Sequence, residues 1–475
     1  DRTWRRKTVS LDPVLLSRLQ FFWVIALHIL LPAFTVGLSC YIALLEWRYW
    51  RTGEPVYFRI SAFWLRIFAI SFGLGVVSGI VMPFQFGTNW SRFSDVAGNV
   101  ISPLLAYEGL TAFFLEATFL GVLLFGRKLV PRPVHCFAAV MVAAGTLFST
   151  FWILATNSWM QTPAGYAIRD GRFFVTSWIA VIFNPSFPYR FAHTVVAFYV
   201  TTGLVVLGVA AWYLRRDRFL DESRTMASMT LWLLTVLVPL QIVLGDLHGL
   251  NTLEYQPAKV AAIEGDWQTA SRMPFTVFAI PDQEAAANRY AIEIPLLGSL
   301  ILTHDPNGTV HGLKDFPRDQ WPPVIYPFFA FRLMVGIGLL LLALVAAGGL
   351  LRLGDRLLLT ARWYWLLCVL ASPLGFIAVL AGWTTTEVGR QPWTVYGLLR
   401  TAQSVSPSLS GRDVLISLIG YGVVYLIMFP TGIAMMARLV RRGPEEPTFE
   451  PEAIESGRPQ HPVAALPPAG GGTPP

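Results

Sequence analysis

The feature that most limits what this chain can fold into is a series of long apolar runs. A bilayer core takes about 20 apolar residues as an α-helix. With no water in that core, each run must pair its own backbone N–H and C=O groups, which a helix does. We place about nine spans, near residues 15–45, 60–82, 99–126, 134–156, 190–214, 227–246, 326–351, 362–381 and 412–438. Only 14% of the residues are charged, against roughly 25% in soluble domains. The expected fold is therefore an all-α polytopic membrane protein in a lipid bilayer. The first run is too long for a signal-peptide core and has no clear cleavage site, so it is kept as a span. The net charge of +7 sits largely in short loops between spans, so it speaks for topology and no nucleic-acid partner is expected. Cys40, Cys136 and Cys368 lie in or beside apolar segments. They show neither metal-ligand spacing nor a disulfide framework.

Basic residues alternate along the loops. Arg48, Arg51 and Arg59 follow the first span, Arg127, Lys128 and Arg132 the third, and Arg215, Arg216, Arg218 and Arg224 the fifth. Arg352, Arg356 and Arg362 follow the seventh, and Arg438, Arg441 and Arg442 the ninth. The positive-inside rule makes these loops cytoplasmic. Residues 247–325, polar and irregular, then lie outside, with the carboxyl end inside. Arg2, Arg5, Arg6 and Lys7 disagree, and are read as a short amphipathic helix along the interface. The chain divides into helices 1–6 over 1–246, an outer segment over 247–325, helices 7–9 over 326–440, and a disordered Pro/Gly-rich cytoplasmic tail over 441–475.

Polar residues inside spans are costly and usually functional. Glu108 and Glu116 share the third span, eight positions apart, which sets them on nearly the same helix face. They fit a proton path or a cofactor wall, with an interfacial ion pair as the plainer account. Two histidines fall in spans, His28 in the first and His193 near the outer end of the fifth; each is equally readable as a ligand or as a core residue. Met334, near the outer end of the seventh, lies at the depth of His193. A His and a Met at one depth can be the axial ligands of a low-spin haem, although a spanning Met is usually core. Arg332 beside it could pair with a haem propionate. Glu387 and Arg390 sit at the outer mouth of the eighth span beside Trp383 and Trp393; taken alone they are better read as a surface ion pair in an aromatic belt. Lys259 and Glu264 lie on the most helix-like part of the outer segment and could bind a quinol headgroup and accept its proton, or be a solvated pair.

Several stretches then coincide with one family. They are SRLQF at Ser17–Phe21, FQFGTNW at Phe84–Trp90, EGLTAFFLEATF at Glu108–Phe119 and WILATNSWMQTP at Trp152–Pro163. VLGD at Val243–Asp246, KVAAIEGDW at Lys259–Trp267 and IPDQE at Ile280–Glu284 follow. FAFRLMVGIG at Phe329–Gly338 and AGWTTTEVGRQPW at Ala381–Trp393 complete the set. In this order, from about residue 12 to 440, the chain resembles subunit I of a cytochrome bd-type quinol oxidase.

The resemblance implies helices bundled around three haems, with residues 247–325 as a periplasmic Q-loop and the chain in the bacterial cytoplasmic membrane. His193 and Met334 would ligate a low-spin haem b, with Arg332 beside it. His28 and Glu387 would be axial ligands of two high-spin haems, a haem b and a haem d or third haem b; members differ in which takes which. Glu108 and Glu116 would line the proton path, with Ser149, Asn157 and Trp383 nearby. Lys259 and Glu264 would bind quinol. Quinol, ubiquinol or menaquinol, would be oxidised at the outer face and its electrons passed through the low-spin haem to the high-spin pair, where O2 becomes water. Protons would be released on one side and consumed from the other, without a pump. A second subunit, and possibly a small accessory one, would complete the enzyme. The short Q-loop and GDLHGLNTLEYQPAK at Gly245–Lys259 resemble the cyanide-insensitive branch, some members of which carry haem b in place of haem d. Pro83 departs from members with a carboxylate there. Clustered copper-ligating histidines are missing, which argues against a haem–copper oxidase. Two other classes remain to be weighed: a haem-free proton-coupled transporter, which should show inverted repeats, and a haem-anchoring subunit without catalysis.

Overall fold

The computed structural model describes residues 11–353 and 361–444. The basic amino-terminal residues, Arg356 and the Pro/Gly-rich tail lie outside the described residues. Within them, nine helical stretches are long and apolar enough to cross a membrane. They match the expected nine in order, and several run longer at their ends.

The first is α1 (Pro13–Thr52). Asp12 caps its start by accepting from the Val14 N–H at 2.9 Å, and Gly53 ends it at φ +73°, a conformation cheap only for glycine. α2 (Pro55–Thr88) carries Pro83 inside it, tolerated where neighbouring helices resatisfy the freed backbone. The third crossing is α3 (Ser91–Tyr107), a π-helical turn (Glu108–Phe113) and α4 (Phe114–Phe125). α5 (Arg132–Gln161) follows; after the hairpin of β1 (Tyr166–Arg169) and β2 (Arg172–Val175) come α6 (Trp178–Ile182) and α7 (Phe187–Leu214). α8 (Leu220–Tyr255) extends nine residues beyond the expected 246, so GDLHGLNTLEY is helix and not irregular loop.

The long connection then holds α9 (Pro257–Glu264), β3 (Ala270–Ser271), β4 (Phe275–Asp282), β5 (Ala287–Ile294), α10 (Leu297–Thr303) and β6 (Thr309–Val310). α11 (Ile325–Leu353) returns through the layer. The eighth crossing is split into α12 (Arg362–Ala371) and α13 (Leu374–Val388), broken at Ser372–Pro373. β7 (Trp393–Val395), β8 (Leu399–Arg400) and α14 (Gly411–Arg442) complete the described chain. The strands form antiparallel pairs β1–β2, β3–β6, β4–β5 and β7–β8. All lie in connections leaving the same end of the bundle, here the strand-bearing end.

Lipid tails are as apolar as leucine, so such helices associate by close packing and hydrogen bonds. Small residues mark the tight crossings. A Cβ at Gly37 would stand 2.7 Å from Thr202 Cβ, and Thr202 Oγ1 donates to Phe34 O at 2.8 Å, joining α1 to α7. A Cβ at Gly375 would meet the Thr201 backbone at 2.7 Å, bringing α13 onto the same helix. At the arginine-rich end, the buried Glu46 carboxylate accepts from Arg127, Ser61 and His135, the last at 3.0 Å, closing the ends of α1, α2, α4 and α5.

Candidate functional site

Spacing alone does not put Glu108 and Glu116 on one face, contrary to the expectation from sequence: in a plain α-helix eight positions leave two side chains about 80° apart around the axis. The π turn at Glu108–Phe113 absorbs one extra residue and removes about 100° of rotation. Both carboxylates therefore meet α5. Ser149 Oγ donates to Glu108 Oε1 at 2.9 Å. Four residues earlier, Gly145 leaves the space that Glu116 fills; a Cβ there would lie 3.3 Å from the Glu116 backbone N. Glu116 is buried and Glu108 half-buried. Among the described residues, no cation is paired with either.

His28 is held by Ser78 Oγ at 2.9 Å from Nδ1, which leaves Nε2 for another partner. Gly79 lies alongside, and a Cβ there would come 3.2 Å from His28 Cε1. His193 projects from α7 against α8. Gln241 Nε2 lies 3.3 and 3.2 Å from its two ring nitrogens, and a Cβ at Gly245 would sit 3.3 Å from Cε1. The His248 ring is 5.6 Å from that of His193. Met334 Sδ faces Gly382 of α13, at 2.9 Å from where a Cβ would be. Two of these histidine rings and the thioether thus each rest on a glycine that gives room. Four histidines, not two, lie in the described spanning helices: the sequence reading passed over His135 although it stands inside the expected 134–156 span, and His248 is taken in by the longer α8.

Glu387 is no surface ion pair. Its side chain is 13% exposed, and Arg390 Nη2 donates to Oε2 at 2.5 Å. Asn157 Nδ2 and Gln161 Nε2 donate to Oε1 at 3.0 and 3.1 Å. A carboxylate offers about four lone-pair sites, so one remains. Arg190, one turn before His193 on α7, donates to Asn157 Oδ1. Arg190 Nε and Arg390 Nε and Nη1 are buried without a partner. Asn157 thus belongs with Glu387 and not with Glu108, and Trp383 packs on Phe22 of α1, ring centroids 5.5 Å apart.

Lys259 and Glu264 are buried, not solvated. Lys259 Nζ donates to Gln161 Oε1 at 2.7 Å, and Gln256 Nε2 reaches the same oxygen at 3.1 Å. Gln161 therefore bridges Lys259 to Glu387. Burial, reinforced by the Arg190 charge, pushes the Lys259 ammonium well below its ordinary range, with Glu387 opposing. Glu264 lies 3.4 Å from Arg332. Burial outweighs that cation and raises the Glu264 carboxyl. Asp266, two residues on, is pushed up to about 8 by burial and then by Glu264.

Arg332 does not wait for a propionate. Its Nε donates to Thr276 O at 2.8 Å, Nη1 to Ile263 O at 2.7 Å and Phe328 O at 3.1 Å, and Nη2 to Glu264 O at 3.1 Å. Its guanidinium also lies over the Phe328 ring at 3.5 Å. Among the described residues the buried guanidinium nitrogens without a partner are those of Arg190 and Arg390, and Arg190 escaped the sequence reading along with Gln161 and His248. The signal was present: an arginine opening an apolar helix, and Gln241, Gly245 and His248 on one helix face. An imidazole with a nitrogen to spare, a thioether and buried unpaired guanidinium donors fit an iron porphyrin with acidic side groups.

Comparison with known proteins agrees. The family described as cytochrome bd terminal oxidase subunit I matches residues 16–444. The chain is 34% identical over 448 residues to cytochrome bd ubiquinol oxidase subunit 1 of Bacillus subtilis strain 168, covering 92% of this chain and 95% of that protein. It is 33% identical over 516 residues to cytochrome bd-II ubiquinol oxidase subunit 1 of Escherichia coli strain K12, covering 92% and 99%. The structure of bd oxidase from Geobacillus thermodenitrificans superposes with a TM-score of 0.84 at 32% identity, over 91% of this chain and 99% of that one.

Proposed function

Because the chain belongs to the cytochrome bd terminal oxidase subunit I family, it is a multi-pass bacterial membrane subunit of a terminal quinol oxidase that uses haem, and we propose the following division of labour among its residues. His193 and Met334 hold a low-spin haem b. His28 and Glu387 each hold a high-spin haem, one a haem b and the other a haem d or a third haem b. Arg190 and Arg390 pair with propionates. Bound there, the haems supply electron transfer and oxygen reduction.

The observation that carries this reading is the set of three buried guanidinium nitrogens without partners beside Glu387, one of them a turn from His193. A buried, unpaired donor is costly, and an acidic group satisfies it. The arginine-rich end is cytoplasmic, the strand-bearing end and its Q-loop periplasmic, and the carboxyl end cytoplasmic. Glu264, raised by burial, accepts a proton from quinol at the outer end, and Lys259 orients the headgroup through Gln161. Glu116 and then Glu108 carry protons inward from the other side, with Ser149 holding the second. Protons leave and enter on opposite faces, so charge separates without a pump. The domains divide as the spans do: 1–246, the Q-loop 247–325, 326–440, and a cytoplasmic tail 441–475. A second subunit and a small accessory one complete the assembly, with ubiquinol or menaquinol as donor. The alignment with the E. coli relative runs to 516 positions, more than the 475 residues of this chain, so that relative carries residues without a counterpart here. A short Q-loop and low cyanide sensitivity belong to the same reading, and an inhibition titration of oxygen uptake tests the latter.

The first experiment is a reduced-minus-oxidised spectrum with pyridine haemochrome analysis, on the wild type and on His193→Ala and Met334→Ala. Loss of the low-spin band in each variant is expected; its survival in both would overturn the ligand assignment. A far-red chlorin band distinguishes haem d from haem b alone.

A further inference from the structure

We propose that the β4–β5 hairpin is an interfacial anchor, its apolar face seated at the headgroup–acyl boundary of the leaflet at the strand-bearing end. β5 carries apolar residues at every second position near its end and is exposed along almost its whole length. Ile292 and Ile294 fall on one face, Ala291 and Glu293 on the other, while Tyr290 sits at φ +55° in the register shift beside them. In the register, Phe275 pairs with Ile294 and Phe278 with Ile292, so these four make one apolar face, and past a register shift Ile280 stands opposite Arg289 at its edge. Among the described residues the β5 side of this face is left uncovered: Tyr290 is 80% exposed and Ile292 61%. An apolar face of this kind on a folded hairpin marks an interaction site.

What covers it follows from the hairpin's height. β4 does not stand above the bundle. Its Thr276 carbonyl accepts from Arg332, and Phe278 packs on Phe329, ring centroids 6.0 Å apart. Arg332 is seven residues into α11, about 10 Å along the helix from its start. The hairpin thus lies beside the end turns of a membrane-crossing helix. Around that level α11 exposes Tyr326, Phe329 and Leu333, part of the surface that this crossing turns to lipid, and the hairpin face continues it sideways. Asp282 and Arg289 pair with each other at the hairpin's far end, where the strands turn. Aromatic residues at the level of the headgroups, with apolar residues below and charges toward water, are the pattern of interface-seated elements. The inference uses the membrane location of the chain and not the quinol reading.

The test uses the assembled oxidase in phosphatidylcholine vesicles. Tyr290→Cys, Ile292→Cys and, as a control, Lys314→Cys are each labelled with an environment-sensitive fluorophore. Lys314 is exposed and belongs to the same outer block. Chain-brominated phosphatidylcholine should quench the label at 290 and 292 and iodide in the water should not, while the label at 314 should show the reverse. Quenching by iodide at 290 and 292 would overturn the proposal. Protection from both quenchers would also overturn it, by assigning the face to another protein chain. The haem spectrum of each labelled enzyme checks that the fold is intact.

Discussion

Glu387 and Glu116 are both buried carboxylates in one helical bundle, yet their surroundings are built on opposite plans. Glu387 accepts from Asn157, Gln161 and Arg390, and Arg190 and Lys259 stand one residue further away. Glu116 faces a glycine, and its companion Glu108 takes a single hydroxyl. A carboxylate tied to several fixed donors is a fixed charge that holds other groups in place. One with no cation and few donors has its surroundings unchanged whether or not it carries a proton, which suits transfer. The contrast separates a carboxylate fixed as a charge among donors from one whose protonation disturbs no partner.

The sharpest way to break the comparison is Glu387→Ala. It leaves Arg190, Arg390 and Lys259 buried without an anion, and removing one partner of a buried charge pair typically costs about 3–5 kcal/mol. Thermal unfolding in detergent should show a large loss of stability and poor haem retention; an unshifted transition would show that the cluster is not balanced on Glu387. The next test is Glu116→Gln or Glu108→Gln. With no cation orphaned, stability should hardly move, while oxygen uptake should fall on the order of 10²-fold if these groups move protons. Equal losses of stability in both sites would erase the distinction.

The outer block offers a test by pH. Asp266 is raised to about 8 in the folded chain, from an ordinary aspartate value near 3.9 when unfolded. The folded form therefore binds the proton more tightly. Its stabilising contribution is complete below about pH 4 and declines by about 1.4 kcal/mol per pH unit up to about pH 8. Hydrogen exchange over residues 257–321 should quicken across that window, and Asp266→Asn should flatten the dependence. The smallest expected effect is Ser149→Ala. It removes one hydrogen bond to Glu108, worth about 1 kcal/mol, and should slow oxygen uptake several-fold without altering the haem spectrum.

The nine crossings were legible because each is a long apolar run and lipid admits few alternatives. The helix ends were not. α8 runs on through Asp246, His248 and Asn251 because packing at the strand-bearing end supports a helix whose composition reads as loop. Glu108, Glu116, His28, His193 and Met334 are legible as candidates because ionisable or sulfur-bearing groups stand out in apolar sequence. Their partners were harder. Arg332 is spent on four backbone carbonyls, three of them contributed by distant segments, and no spacing along the chain announces that. Gln161 looks like any polar residue at a helix end until α9, with the residue before it, and α13 bring Gln256, Lys259 and Glu387 to it.

The π turn between α3 and α4 makes the third crossing sensitive to length more than to composition. It holds one residue more than a plain helix needs, and that surplus is spread over Glu108–Phe113 and belongs to no one position. Deleting any residue from Gly109 to Phe113 would let the segment relax to ordinary winding and swing the downstream half by about 100°. Glu116 would then turn away from Gly145, while the crossing kept its apolar length. A deletion scan should therefore show a short window in which every single-residue loss is equivalent and disabling, in a stretch where conservative substitutions are well borne.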